Sequence, residues 1–213
     1  MGKISQGILG GFSGKVGNVI GATWKGIDYM RIKPSSVANP RTPGQLDQRS
    51  KFATVLRFLQ PMTDFLRVGF RLYAIKMTQF NNAMSYNLNN AVTGLYPNYM
   101  IDYANALVSR GNLTGAFNAA ASSPAAGSVE ITWNDNSGSG SALATDRALI
   151  VLLNTQRQEA MFTTQGPERS VGSETISVPA EYSGEDVEAF LGFISEDGTR
   201  VANSVYLGSV TVA

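Results

Sequence analysis

Short β-type runs recur at regular spacing through the second half of the chain, and this recurrence limits the possible folds more than any other feature. Each run is rich in branched aliphatic or aromatic residues, and clusters of Gly, Pro, Asn, Asp and Ser separate it from the next. The runs cover residues 129–133, 147–154, 159–163, 174–179, 187–195 and 204–212. About six or seven short strands at such spacing are typical of a β-sandwich. We therefore predict an immunoglobulin-like or fibronectin-like sandwich over residues 116–213, with Trp133 and Phe190 in its core.

Glycine dominates the start of the chain, where residues 1–33 hold 8 of the 22 glycines. The segment 1–14 has too little side-chain mass to form a core, so we expect an arm that is flexible or bound to a partner. Its apolar residues, which need an outside surface, are Ile4, Ile8, Leu9 and Phe12.

A β-hairpin follows the arm. Residues 16–24 and 27–33 predict two strands joined by a turn at Lys25-Gly26. The alternation of Ile27, Tyr29 and Arg31 places these three side chains on one face. Glycines within the first strand indicate a bulge or a close approach of two backbones.

Helical spacing begins after a turn-rich connector. Thr42 and Pro43 have the order of an N-cap and a first helical residue, and the apolar periodicity then continues to Pro61. Residues 62–75 and 78–92 predict two further helices, with Gly94 as a C-terminal cap, and residues 100–108 predict a strand. We group residues 15–115 as a hairpin and helical domain. The predicted fold class is α+β, with a Gly-rich arm, a hairpin and helices before the sandwich.

The charges divide the chain into a basic and an acidic half. Residues 1–110 hold 13 of the 17 Lys and Arg and 4 of the 16 Asp and Glu, a net charge of +9, whereas the remainder has a net charge of −8. A chain with opposite charges on its two halves can attract a second copy head to tail, or it can present its basic half to an anion such as nucleic acid.

The chemistry needed for catalysis is largely missing. The chain has no His and no Cys, which removes the commonest general base, the thiolate nucleophile and the usual zinc ligands. Asp135 and Asp146 flank a Gly/Ser-rich loop, but their spacing matches no calcium loop. The segment 14–18 lacks the order of a phosphate-binding loop. We predict a protein that is not an enzyme and has no cofactor and no bound metal.

The first residues and the hydropathy of the chain indicate where the protein is synthesised. The first residues lack the charged and apolar regions of a secretory signal, and no apolar run approaches the ~20 residues of a membrane span. We expect synthesis in the cytoplasm. The final location stays open and includes an extracellular assembly or a particle.

Two candidate binding surfaces emerge from the charged residues. Cations and aromatic rings interleave on the hairpin, as in proteins that bind single-stranded nucleic acid. We favour the explanation that the rings pack against the helices and the charges are solvated, because no known nucleic-acid-binding signature accompanies them. These residues are Lys15, Trp24, Lys25, Tyr29, Arg31 and Lys33. In the helices, arginines can bind carboxylates of a second copy. The residues of this second surface are Arg57, Arg67 and Arg71 together with Glu185, Asp186 and Glu188.

Four segments carry a resemblance to a known family. GKVGNVIG, WKGIDYMR, NPRTPGQLDQRSKF and YANALVSRGNL resemble an uncharacterised family of Bacteroidota proteins of about this length, with GKVGNVxG and NPRTPxQ motifs. Gly44 stands where the family form has Ala. The resemblance implies a bacterial or phage-associated origin and no assigned activity.

Three functions are consistent with these observations. The leading hypothesis is a self-assembling structural subunit of a filament, tube or virion-like particle that uses its arm and its oppositely charged halves. The alternative is a nucleic-acid-binding protein that uses the basic N-terminal face. An adhesin-like surface module is a third possibility, which rests on the sandwich alone.

Overall fold

The structure, a computed structural model, describes residues 3–4, 11–24, 27–36, 39, 41–73 and 77–213. It contains helices and antiparallel sheets in two compact units, Met1–Thr42 and Pro43–Ala213. These limits differ from the predicted boundaries after residues 14 and 115.

The N-terminal unit is one antiparallel sheet with the order β1-β2-β3-β4. Its strands are β1 (Lys3–Ile4), β2 (Phe12–Val16), β3 (Val19–Trp24) and β4 (Ile27–Ile32). The predicted hairpin is confirmed, since Trp24 lies opposite Ile27 across a two-residue connection. The described part of the predicted arm is a strand of this sheet, because Ile4 pairs with Phe12.

Three α-helices open the second unit in the part of the chain that the structure describes. They are α1 (Pro43–Leu59), α2 (Thr63–Gly69) and α3 (Gln79–Asn90). The first begins at Pro43, as predicted, and α3 is capped by the Thr78 side chain, which accepts a hydrogen bond from the Asn81 backbone N–H. Helix α2 is shorter than the helix predicted for residues 62–75. At its end Gly69 meets another chain segment so closely that a Cβ there would lie 2.6 Å from the Val108 carbonyl oxygen.

Two predictions beyond the helices are wrong. Gly94 does not cap α3, which ends at Asn90; it lies in strand β5 (Val92–Leu95), which pairs with β6 (Asn98–Ile101). The strand predicted for residues 100–108 stops at Ile101, because the Asp102 side chain accepts hydrogen bonds from the following turn and bends the chain.

The six strands predicted in the second half are confirmed, and a further strand at residues 117–122 precedes them. In chain order these strands are β7 (Phe117–Ser122), β8 (Ser128–Asn134), β9 (Arg147–Asn154), β10 (Glu159–Thr163), β11 (Ser173–Ser177), β12 (Asp186–Ile194) and β13 (Val205–Thr211). They form two antiparallel sheets with the orders β11-β8-β7 and β10-β9-β12-β13. The two sheets face each other across a core that includes Trp133, Ile150 and Phe193.

The four-stranded sheet β10-β9-β12-β13 is covered on both faces. Leu149, Val151 and Phe190 point away from the sandwich core and pack against the helices, in a second core with Phe58 and Phe65. The helices therefore share a core with the sheet and belong to the same compact unit. Trp133 and Phe190 are both buried, as predicted, but they lie in different cores. No helix among the described residues is long and apolar enough to cross a membrane.

Candidate assembly surface

The N-terminal sheet exposes apolar side chains on a face that the described residues cover only in part, where Phe12 lies on Gly21. Its register places Val16, Val19 and Ile32 side by side on one face, and Met30 lies on the same face opposite Gly21. Met30 and Ile32 remain 71% and 76% exposed, and Val16 remains 53% exposed. We call Val16, Val19, Met30 and Ile32 the apolar face. Large apolar side chains concentrated in this way indicate an interaction surface.

Two glycines allow this sheet to form. A Cβ at Gly21 would lie 2.0 Å from the Phe12 carbonyl oxygen and 2.9 Å from a Phe12 ring carbon, so the Phe12 backbone and ring lie directly on Gly21. Gly14, at φ 99°, adopts a backbone conformation that β-branched and bulky residues avoid, and there the strand turns toward Gly21. The predicted close backbone approach is confirmed. The segment 14–18 forms the end of β2 and a hairpin turn.

Basic residues and one aromatic ring lie on the opposite face. Lys15 is opposite Ile20, and Ile20 is opposite Arg31, so the two cations share a face. Tyr29 and Ile27 lie on this face too, which confirms the predicted alternation along β4. Tyr29 is 43% exposed, and Lys33 is exposed directly after the strand. Lys25 and the side chain of Trp24 lie outside the described residues.

Among the residues that the structure describes, no strand pairs with the outer side of β4, which is therefore an open edge of this sheet. It is the last strand of the order β1-β2-β3-β4, and all six of its residues are exposed. An open edge presents unpaired backbone N–H and C=O groups that can pair with another strand.

The structure places the predicted arm residues differently from a free arm. Phe12 is partly buried against Gly21 of its own sheet. The backbone of Ile4 pairs in β1, whereas its side chain, Ile8 and Leu9 lie outside the described residues.

The three predicted interface arginines are not brought together. Arg57 borders a cavity of about 330 Å³ between α1, β6 and the turn after β9. Arg67 forms an exposed intrahelical ion pair with Asp64 at 2.9 Å. Arg71 lies over Gly198 and lines, together with Glu196, another cavity of about 410 Å³. The role of these arginines in an interface stays a prediction.

The predicted acidic partners already bind groups of their own chain. Glu185 forms an ion pair with Arg157 at 2.7 Å and accepts a hydrogen bond from Asn154 at 2.6 Å. The hydrogen bonds from Arg157 and Asn154 hold the pKa of Glu185 below its usual range. Asp186 accepts a hydrogen bond from Thr211 at 2.5 Å.

Glu188 is also engaged within the sheet, where it accepts a hydrogen bond from the Tyr206 hydroxyl. Burial and this hydrogen bond raise the pKa of Tyr206. The side chains of these three carboxylates are oriented by partners within their own chain.

A buried arginine is the most extensively bonded polar group that the sequence analysis missed. Arg169 is completely buried and donates to Asp146 Oδ2 through Nε at 3.2 Å and Nη2 at 3.1 Å. It also donates to the carbonyls of Thr114 and Gly115 and to Asn136. Asp146 is therefore the partner of a buried guanidinium. Within the residues that the structure describes, no group of three or more acidic side chains is arranged to hold a metal ion.

Comparison with known proteins identifies the family. The chain belongs to DUF6266, a family of unknown function, whose family model matches residues 11–208. This agrees with the resemblance of its motifs to an uncharacterised family. A solved structure that the chain is similar to is the fn3 domain of human collagen alpha-1(XX) chain, with 8% identity, a TM-score of 0.35, and coverage of 49% of this chain and 90% of that chain. No curated protein matches the sequence.

Proposed function

We propose that this DUF6266 protein is a non-enzymatic structural subunit that assembles with copies of itself, through its N-terminal sheet, into a filament, tube or particle. The observation that carries the proposal is the apolar face, together with the open edge at β4. The described residues leave Val16, Met30 and Ile32 largely exposed on this face, so a partner surface is needed to remove these side chains from water.

Burial of the apolar face supplies the main driving force. Met30 and Ile32 are mostly exposed and Val16 is about half exposed. Complete burial of one such side chain contributes about 1.5–3 kcal/mol, so three of them contribute a substantial part of an interface. Strand pairing at β4 adds backbone hydrogen bonds and fixes the orientation of the two partners.

Charge supports a head-to-tail contact between copies. The segment 1–42 carries six cations and one carboxylate, a net charge of +5, whereas residues 116–213 carry a net charge of −8. Opposite charges on separate parts of one chain favour a heterologous contact, in which one copy's basic part meets the next copy's acidic part. Contacts of this kind produce rings or open filaments.

The second unit provides the body of the subunit in this proposal. Its seven strands from 117 to 211 divide three and four between two facing antiparallel sheets. Immunoglobulin-like and fibronectin type III modules also divide their strands between two facing sheets, and we propose that the body is a module of this kind. The covering helices fill the outer face of the four-stranded sheet β10-β9-β12-β13 and share a core with it.

Replacement of the apolar face tests this function. The triple variant Val16→Thr, Met30→Gln and Ile32→Thr keeps strand-compatible residues and removes most of the exposed apolar surface. We expect light scattering and electron microscopy to show loss of assembly with an unchanged circular dichroism spectrum. A matched control replaces equally exposed apolar residues of the second unit, through Leu95→Gln, Met100→Gln and Phe117→Gln. Equal loss in both variants, or loss in neither, would contradict the proposal.

A nucleic-acid-binding function is the second candidate, and one observation favours it. The register brings Lys15, Tyr29 and Arg31 to one face of the sheet, with Lys33 exposed just beyond. Cations that neutralise phosphates beside a ring that stacks on a base form a surface for single strands.

Binding of labelled single-stranded DNA and RNA, followed by fluorescence anisotropy, tests this candidate. Affinity should fall steeply as salt rises, and Tyr29→Ala, Arg31→Ala and Trp24→Ala should each weaken it. Arg67→Ala is the matched control, since Arg67 lies on a helix of the other unit and pairs with Asp64. Equal affinity of all four variants would exclude this surface.

A further inference from the structure

We propose that β4 pairs with β4 of a second copy in antiparallel orientation, with the two Met30 residues opposite each other across a two-fold axis. This inference rests on the proposed self-assembly and names one of its contacts. It follows from the direction of the backbone groups along β4.

One hydrogen bond shows which backbone groups of β4 point away from β3. The Lys33 N–H donates to the Asn18 carbonyl oxygen at 2.7 Å. These two residues lie opposite each other when the register of β3 and β4, which pairs Val19 with Ile32, is continued by one residue. In an antiparallel pair of strands, two residues that form a hydrogen-bonded pair point their N–H and C=O groups at each other. The next residue along each strand points its N–H and C=O groups away from the partner strand. Arg31, Tyr29 and Ile27 therefore bond to β3. Asp28, Met30 and Ile32 direct their N–H and C=O groups to the open edge.

In one register, the N–H and C=O groups at the open edge of β4 can all bond to the same groups of a second copy. When Met30 faces Met30 of the second copy, Asp28 of each copy faces Ile32 of the other. All three facing positions then join residues with free backbone groups, and each exchanges two hydrogen bonds. If the axis passes instead at Tyr29 or at Arg31, only two such positions remain within β4. The Met30 register satisfies the edge most completely.

The side chains are compatible with this register. Tyr29 of one copy lies opposite Arg31 of the other at the closely spaced positions, where a guanidinium can lie over a ring. On the other surface of the paired sheets, Met30 and Ile32 bring the apolar faces of the two copies together. Asp28 accepts a hydrogen bond from Thr23 of its own sheet at 2.5 Å, so its charge has a partner before the strands meet.

Charge within the strand favours a second copy as the occupant. β4 has one carboxylate, Asp28, and one cation, Arg31, so its own net charge is zero. It contains none of the lysines or prolines that commonly block an edge, and its register with β3 shows no bulge. Because the surrounding unit is basic, salt should weaken the head-to-tail contact of opposite charges and leave the β4 pair intact or stronger.

Single cysteines test the register directly, because the chain has no Cys of its own. In the full-length protein, Met30→Cys places two thiols at facing positions whose Cα atoms lie about 5.5 Å apart, within the range of a disulfide. Asp28→Cys is the matched control on the same strand, with its two copies separated by about 13 Å along the pair. Under mild oxidation we expect Met30→Cys to form a covalent dimer on the order of tenfold faster than Asp28→Cys.

A mixture of Asp28→Cys and Ile32→Cys proteins completes the register test. These two positions face each other in the proposed pair, so the mixture should form heterodimers that Asp28→Cys alone does not. Slow cross-linking of Met30→Cys, no faster than that of Asp28→Cys, overturns the inference.

A proline at the same position separates this contact from assembly in general. Met30→Pro removes an N–H that points to the open edge and leaves the bonds to β3 in place. We expect this variant to lose the dimer that persists at high salt. If Met30→Cys fails to cross-link while regular assemblies still form, the β4 pair is wrong and the proposed function stands. If the intact protein is a monomer at low and high salt, both are wrong.

Discussion

The guanidinium of Arg169 lies 3.8 Å from the ring centre of Phe193 and is bonded to Asp146, with both charged side chains fully buried. The pair joins three separate parts of the sandwich. Arg169 is in the turn before β11, Asp146 precedes β9, and the carbonyls of Thr114 and Gly115 lie before β7. The indole N–H of Trp133 donates to the Arg169 carbonyl at 2.8 Å and connects this network to the core.

Loss of one partner of this pair should be strongly destabilising. Asp146→Ala leaves a buried guanidinium without its counter-charge, and breaking such a pair costs about 3–5 kcal/mol of the free energy of unfolding. Chemical denaturation followed by fluorescence measures the change. The matched control is Asp64→Ala, which breaks an exposed ion pair and should cost less than ~1 kcal/mol. Similar losses from both substitutions would show that Arg169 does not depend on Asp146.

The double variant Asp146→Ala with Arg169→Met extends this test. It removes both charges, so we expect it to be more stable than Asp146→Ala alone. A double variant that is less stable than the single one would mean that the other hydrogen bonds of Arg169 stabilise the fold more than its pairing does.

Glu174 gives the sandwich a pH dependence. It faces the interior opposite Ile131, and its Oε2 is buried without a hydrogen-bond partner among the residues that the structure describes. Burial raises the pKa of Glu174 above 4.5, its ordinary value. The folded state therefore binds this proton more tightly than the unfolded state. The contribution of the protonated Glu174 to the free energy of unfolding is fully present below the ordinary pKa. It is lost as the pH rises through the pKa of Glu174 in the folded state.

Glu174→Gln should accordingly raise the melting temperature at pH 7, with a gain that disappears toward pH 4. Thermal unfolding between pH 4 and 8 measures the difference between the variant and the natural chain. Glu196→Gln, at an exposed position, serves as the control for loss of one negative charge. A gain for Glu174→Gln that is the same at every pH would contradict a buried, uncompensated carboxyl.

Gly21→Ala should disrupt the N-terminal sheet and leave the second unit intact. The added Cβ would lie 2.0 Å from the Phe12 carbonyl oxygen, so β2 must move away. Because residues 43–213 form their own unit, we expect the main unfolding transition to be unchanged while assembly is lost.

Gly44→Ala is the matched control for this substitution. Its added Cβ meets nothing within 4 Å, and it lies in the first turn of α1, where the change should stabilise the helix by about 0.4–1 kcal/mol. Loss of assembly in Gly44→Ala as well would show that the effect of Gly21→Ala is not local to the sheet.

The sequence predicted those elements whose signals are local. Strands β9 and β10 have the predicted bounds, and α1 begins at Pro43, because alternation, turn residues and capping act over a few positions. The limits of α2 and the place of Gly94 depend on which distant segment packs against them, which spacing alone does not encode. The continuous apolar run 148–153 did contain a usable signal, since a strand that is apolar on both faces is covered on both faces.

The candidate site was predictable only in part. The face shared by Tyr29 and Arg31 follows from strand alternation, and the close approach at Gly21 follows from the glycines of the hairpin. The internal partners of Glu185 and Glu188 depend on cross-strand register, and register is set by the fold as a whole. The buried network of Arg169 brings together segments far apart in the chain and has no local sequence signal.

Light scattering with electron microscopy on the nucleic-acid-free, full-length protein, at low and at high salt, tests self-assembly most directly. We predict regular filaments, tubes or shells at low salt and smaller species at high salt, with a dimer as the species that remains. A strict monomer at both salt concentrations would contradict the account and leave nucleic-acid binding as the leading function.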